Sequence, residues 1–138
     1  MEKNRITQLL NEALQREYSD IFLYPRQAEI IKIKEISKKF EKFGRMELRH
    51  VDNIAMQIFV LGGKPNWEFT PLDTKESLNE MLLGHIEREA MVIQLYTKLI
   101  ELADEEGEDQ LKLILKGIKS EEALHLSYVR DVMKRNKE

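Results

Sequence analysis

Four glutamates and two histidines in this chain stand at spacings that suit divalent-metal chemistry. Glu17 and Tyr24 lie seven residues apart and are followed by the pair Glu47 and His50; Glu89 and Tyr96 lie seven apart and are followed by Glu122 and His125. The order E-x6-Y, then E-x-x-H, therefore occurs twice. Residues three apart share a helix face, so each Glu–His pair can send one carboxylate and one imidazole in the same direction. Four carboxylates gathered in an apolar interior are unfavourable alone, because burial penalises each charge and crowding forces some to keep a proton. Two divalent cations would cancel four carboxylate charges, while neutral imidazoles add donors without adding charge. The chain has no cysteine, which excludes thiolate ligation and disulfides and leaves oxygen and nitrogen as the only donors. Such ligation suits iron or manganese better than a structural zinc site, although zinc can occupy it. Carboxylates bridging the pair would hold the metals about 3.5–4 Å apart.

Helices must carry these residues. Apolar positions recur at alternating spacings of three and four along four segments. The first stripe runs Ile6, Leu10, Ala13, Glu17, Ile21, Tyr24, Ala28, Ile31, and the second Ile36, Phe40, Phe43, Glu47, His50, Ile54, Leu61. The third runs Leu82, Ile86, Glu89, Ile93, Tyr96, Ile100, Ala103, and the fourth Leu111, Leu115, Ile118, Glu122, His125, Val129, Val132. Only acid, or acid with histidine, interrupts each stripe. Glu87 competes with Glu89 for the third helix, but it shares its face with Met91, Gln94 and Lys98, so the register set by Tyr96 favours Glu89.

Punctuation between the stripes is sparse. The segment "GGKPNWEFTP" at 62–71 is the one obvious break, long enough to cross the length of a bundle. Asp73 with Glu76, or Thr70 before Pro71, predicts a third helix starting within 70–74. Gly107 suits the position just past that helix, leaving Asp109 to open the fourth. A reversal is needed near 32–37, where Ser37 is the plausible cap, and Pro25 lies inside the first helix, where a kink is expected. Asp20 reads as an outer or partly solvated acid, His85 as a surface histidine, and Tyr24 and Tyr96 as core residues whose hydroxyls find a polar partner. Trp67 and Phe69 read as cover for the bundle or as a dimer contact.

Length and charge narrow the class. The 138 residues suit one domain spanning 1–138, and 22 Lys plus Arg against 25 Asp plus Glu give a formal charge of −3 without a block of either sign. Nothing in that balance indicates a nucleic-acid or membrane partner. The N-terminus "MEKNRITQ" is too polar for a secretory signal, and no apolar run approaches the roughly 20 residues of a membrane span. A cytoplasmic protein is expected.

The doubled E…E-x-x-H pattern resembles that of the ferritin-like diiron proteins: ferritins, bacterioferritins and rubrerythrins. The segment "LQREYSDIFLY" at 14–24 is similar to the first-helix text of bacterioferritin. The resemblance covers nearly the whole chain and implies an all-α, ferritin-like four-helix bundle with one long crossover between helices 2 and 3. It further implies Glu17 and Glu89 as terminal ligands, Glu47 and Glu122 as bridging ligands, and His50 and His125 as terminal nitrogens of a two-iron site. That site would oxidise Fe(II) with O2 or H2O2.

Departures from the family pattern refine the expectation. Leu48 stands where bacterioferritin carries its haem-ligating methionine, so no haem is expected. Val92 stands where rubrerythrin has an additional helix-3 glutamate, and the cysteines of a rubredoxin module are absent, so peroxide reduction would need a separate electron donor. The chain stops soon after helix 4, leaving no room for the fifth helix of cage-forming ferritins. A diiron oxidoreductase in a homo-oligomer, dimer or larger, is the leading expectation. An iron-storage subunit and a non-catalytic metal-binding or helical interaction protein are the alternatives.

Overall fold

Long stretches of good helix formers with few glycines or prolines give four helices of 27 to 29 residues each. They are α1 (Glu2–Ile30), α2 (Lys34–Val60), α3 (Leu78–Glu105) and α4 (Asp109–Asn136). The structure, a computed structural model, describes residues 2–68, 75 and 77–136, and no strand occurs among them. No described helix is long and apolar enough to cross a membrane.

Helix α1 packs on α2 and α3, and α4 packs on α3 and α2, which leaves α1 opposite α4 and α2 opposite α3 on the diagonals. The diagonal link between α2 and α3 is the expected crossover. It runs along α1: the Asn11 side chain donates to the Lys64 carbonyl at 3.1 Å and accepts from the Asn66 N–H at 2.8 Å. Further on, the Trp67 ring meets Tyr18 edge-on at 5.5 Å. Leu78 and Met81 then line one cavity with Ile30 and Ile31, so α3 starts beside the end of α1. The connector has returned the length of the bundle, and α2 and α3 run parallel.

The helix ends explain themselves locally, with two corrections. Gly62 and Gly107 have φ of +84° and +69°, the left-handed conformation that ends a helix without a Cβ penalty. After Gly107 the Glu108 N–H reaches the Ala103 carbonyl at 2.9 Å, and the Gly63 N–H reaches Ile58 in the same way. Ser37 does not cap α2, which begins at Lys34 behind Ile33. Its hydroxyl instead donates to the Ala28 carbonyl at 2.5 Å, because so tight a reversal lays the first turn of α2 against the last of α1. Helix α3 begins at Leu78 rather than within 70–74, with Ser77 at its cap position. The predicted start residues and Phe69 lie outside the described residues. Helical stability comes mainly from burying a face, and that burial starts at Leu78, Met81 and Leu82. Pro25 lies inside α1, which continues to Ile30, and a Cβ on Gly44 of α2 would stand 3.1 Å from its ring.

Two apolar clusters fill the interior. One gathers Ile6, Leu10, Leu14, Ile54, Ile58, Leu99 and Leu115, and the other Ala28, Phe40, Phe43, Met81, Leu82 and Val129. A polar layer separates them.

Candidate metal centre

The layer between the clusters is made by the six residues that the spacing singled out. Glu17, Glu47, His50, Glu89, Glu122 and His125 are each at most 1% exposed. One residue comes from α1, a pair from α2, one from α3 and a pair from α4. Single carboxyl oxygens of Glu17, Glu47 and Glu122 lie with a His50 nitrogen within 4.8 Å of one another, as do donor atoms of Glu89, Glu122 and His125. His50 Nδ1 stands 2.9 Å from Glu17 and 2.8 Å from Glu122; His125 Nδ1 stands 3.3 Å from Glu47. The inner nitrogen of each histidine thus faces carboxylates of both halves.

The tyrosines are exchanged between halves. Tyr24 of α1 donates its hydroxyl hydrogen to Glu89 Oε1 of α3 at 3.1 Å, and Tyr96 of α3 donates to Glu17 Oε2 of α1 at 3.0 Å. Both rings are fully buried, so they serve as core and as donors to the site at once. The seven-residue spacing from each glutamate to its tyrosine is two helical turns. Antiparallel α1 and α3 convert that offset into a crossed pair of hydrogen bonds.

The polar atoms of this layer fit a pair of cations better than they fit one another. Glu17 Oε1, both Glu47 oxygens, Glu89 Oε2, Glu122 Oε2 and His125 Nδ1 are buried without a hydrogen-bond partner among the described residues. Only where Glu47 carries a proton can it donate one to Glu17. Burial, followed by the charge of Glu17, holds the Glu47 and Glu122 carboxyls well above their usual range. Burial also raises Glu89, to about 7. Glu17 goes the other way: burial opposes its charge, but hydrogen bonds from Glu47 and His50 bring it down to about 2. His50, despite burial, is raised to about 11 by its contacts with Glu122 and Glu17, whereas burial and the His50 charge lower His125 to about 3. The layer thus satisfies itself only partly.

Neighbours missed or misjudged in the sequence complete the centre. His85 is fully buried, not a surface histidine. It stacks on Tyr24 with centroids 4.2 Å apart, its Nε2–H donates to Gln27 Oε1 at 2.5 Å, and Arg88 lies 3.2 Å from its Nδ1. Burial and the Arg88 charge keep it neutral. The signal was available, because His85 lies one turn before Glu89 on the same face. Asp20 is buried as well, 3.7 Å from Arg88 Nε, and burial with the Glu89 charge raises its carboxyl. Glu121, half-buried beside Glu122, reaches His50 Nε2 at 2.9 Å, a contact that no stripe predicted. Glu87 is exposed, as its face required, and Trp67 rests on Tyr18 while half open to solvent.

Four long helices with one crossover and an acid–histidine layer at mid-height define the class. Residues 7–137 match the ferritin-like domain family, and the chain belongs to it. The bacterioferritin of Desulfovibrio desulfuricans is 23% identical over 134 residues, covering 94% of this chain and 75% of that protein. A crystal structure of the same bacterioferritin, describing its diiron site in different catalytic states, superposes with a TM-score of 0.90 over 99% of this chain and 82% of that one. The bacterioferritin of Rhodobacter capsulatus, with a metal-free dinuclear site and haem iron, gives 0.88 at 23% identity over 97% and 86%. A Bacillus anthracis protein described as ferritin-like and diiron-carboxylate gives 0.92 at 26% identity, covering 96% of this chain and 98% of that one.

Proposed function

We propose that residues 1–138 form a single diiron-carboxylate domain that oxidises Fe(II) with O2 or H2O2. The observation that carries this reading is the convergence of four buried carboxylates and two imidazole nitrogens, several of whose atoms have no hydrogen-bond partner among the described residues. The likeness to bacterioferritin and to a diiron-carboxylate protein of Bacillus anthracis supports iron as the metal. Glu17 and Glu89 would each hold one ion from outside, Glu47 and Glu122 would span the pair, and His50 and His125 would each offer Nδ1. An iron pair held there supplies electrons for reducing the oxidant.

The protein's own part is to bind, orient and neutralise. The two apolar clusters shield the layer from bulk water, which strengthens every electrostatic contact inside it. Each tyrosine hydroxyl fixes one oxygen of a terminal glutamate, leaving the other for an ion. The protons held by Glu47, Glu89 and Glu122, and by His50 Nδ1, must leave as cations enter, so uptake releases protons. Protein purified without chelator should contain about two metal ions per chain by this assignment, measured by elemental analysis. Glu47→Ala with Glu122→Ala should abolish that content. Anaerobic loading with Fe(II), then stopped-flow mixing with O2 or H2O2, should give a ferric absorbance; no turnover with either oxidant ends the oxidoreductase reading.

Iron storage is the second reading, favoured by the likeness to bacterioferritin. It requires a hollow assembly, so gel filtration that finds only monomer or dimer removes it.

A further inference from the structure

The outer side of α4 carries large leucines left to solvent: Leu113 is 71% exposed and Leu124 is 64% exposed. Gly117, Ser120 and Ser127 are exposed as well, and the five follow one another at spacings of four, three, four and three, which keeps them on a single face of the helix. Open space surrounds the position that a Cβ on Gly117 would take. Read backwards, the order is Ser127, Leu124, Ser120, Gly117, Leu113. Laid antiparallel on itself about Ser120, this face therefore sets every leucine against a small residue, Leu113 against Ser127 and Leu124 against Gly117. A parallel pairing sets leucine on leucine and leaves the small residues facing gaps.

Two further features favour the same arrangement. A cavity of about 320 Å³, lined by Phe43, Met46, Leu124, His125 and Ser127, opens at the level where an opposing Leu113 would arrive. The charges are sorted along α4 in a matching way. The turn before it reads "DEEGED" at 104–109, close to Leu113, whereas its far end carries Arg130, Lys134 and Arg135, with Asp131 among them and Lys42 of α2 at the cavity rim. Antiparallel packing brings the acidic start of each α4 to the basic end of the other, and parallel packing brings like to like.

We propose that this face of α4 docks a second copy of the chain as an antiparallel, twofold pair, with Leu113 of each copy seated at the cavity beside His125 of the other. Such a contact is self-complementary, as a twofold interface must be. The pairing is independent of what the buried layer binds, so its failure leaves the metal reading untouched.

Sedimentation of the metal-free full-length chain over a micromolar dilution series should show a monomer–dimer equilibrium that weakens as salt is raised. The chain has no cysteine, so Ser120→Cys introduces a single one beside the twofold axis. It should give disulfide-linked dimers on mild oxidation, whereas Glu101→Cys, exposed on α3, should not. Gly117→Leu, which fills the hole that receives Leu124, and Leu113→Lys should each weaken pairing by about tenfold or more. Adding Leu124→Ala to Gly117→Leu restores large against small and should recover most of the pairing, a gain that loss of structure cannot produce. All of these positions are exposed, and unchanged helical circular dichroism shows that the bundle is intact. A chain that stays monomeric across the series, cross-linking through Glu101→Cys as readily as through Ser120→Cys, or pairing unaltered by Gly117→Leu overturns the proposal.

Discussion

Tyr24 and Tyr96 each give a hydrogen bond to a carboxyl group of the opposite half, 3.1 and 3.0 Å long, between buried residues. Removing a donor to a buried charged group costs roughly 1–3 kcal/mol. Tyr24→Phe and Tyr96→Phe should each lower the stability of the metal-free protein by about that amount, read from urea unfolding. Effects of only a few tenths would mean that the hydroxyls are ornamental. The titratable groups set a pH dependence whose sign can be worked out. Glu89, raised by burial from 4.5 to about 7, and His50, raised from 6.5 to about 11, both bind more protons in the folded state, so their contribution to stability is lost as pH rises. His125, lowered from 6.5 to about 3, works oppositely, but only below 6.5. The metal-free protein should therefore lose stability steadily above about pH 6.5, seen as a falling urea midpoint; a rising midpoint there contradicts the charge assignment. All six residues of the layer were legible in the sequence because acid and histidine interrupted apolar stripes twice at matching spacings. Glu121 was not, since its contact with His50 depends on how α2 and α4 pack, which one helix's periodicity does not encode.

At the scale of elements, Gly107 and Gly117 form a natural pair for comparison. Gly107 has φ +69°, where a side chain is strained, and Gly117 lies exposed in α4 with nothing near its absent Cβ. Gly107→Ala should destabilise by about 1–2 kcal/mol and Gly117→Ala should stabilise by about 0.5–1 kcal/mol, both measured as shifts in thermal or urea unfolding. Matching signs would mean that the α3–α4 turn has been misjudged. Stripes for α2 and α4 matched the buried faces closely, Leu61 alone being only half-buried among those positions. The α3 stripe did not: Ile86, Ile93 and Ile100 are half-buried, while His85, Val92 and Leu99 point fully inward. Helix α3 is apolar over more of its circumference, so spacing alone permitted two neighbouring faces. The buried face carries His85, which its register with Glu89 marks and hydrophobicity alone does not.

For the molecule as a whole, the two clusters of Leu, Ile, Val and Phe supply the driving force, and the layer between them works against it in the absence of metal. Replacing Glu17, Glu47, Glu89 and Glu122 with Leu, and His50 and His125 with Phe, should give a bundle that binds no metal yet unfolds at higher denaturant. Well-packed apolar replacements of buried ionic groups are often stabilising by 1–4 kcal/mol. A lower midpoint would show that the layer already satisfies itself without cations. The crossover was legible at this scale, because a break too long for a hairpin must travel. Its path along α1, by way of Asn11 and Tyr18, needed the structure.

The polar layer has one more effect. Greasy helices are nearly indifferent to sliding past one another, and a slip of one turn, about 5.4 Å, would still bring aliphatic groups against aliphatic groups. Here such a slip would press glutamates into leucine and phenylalanine and break both crossed tyrosine contacts. Like the teeth of a key, the six side chains admit one vertical alignment of the two hairpins and jam at every other.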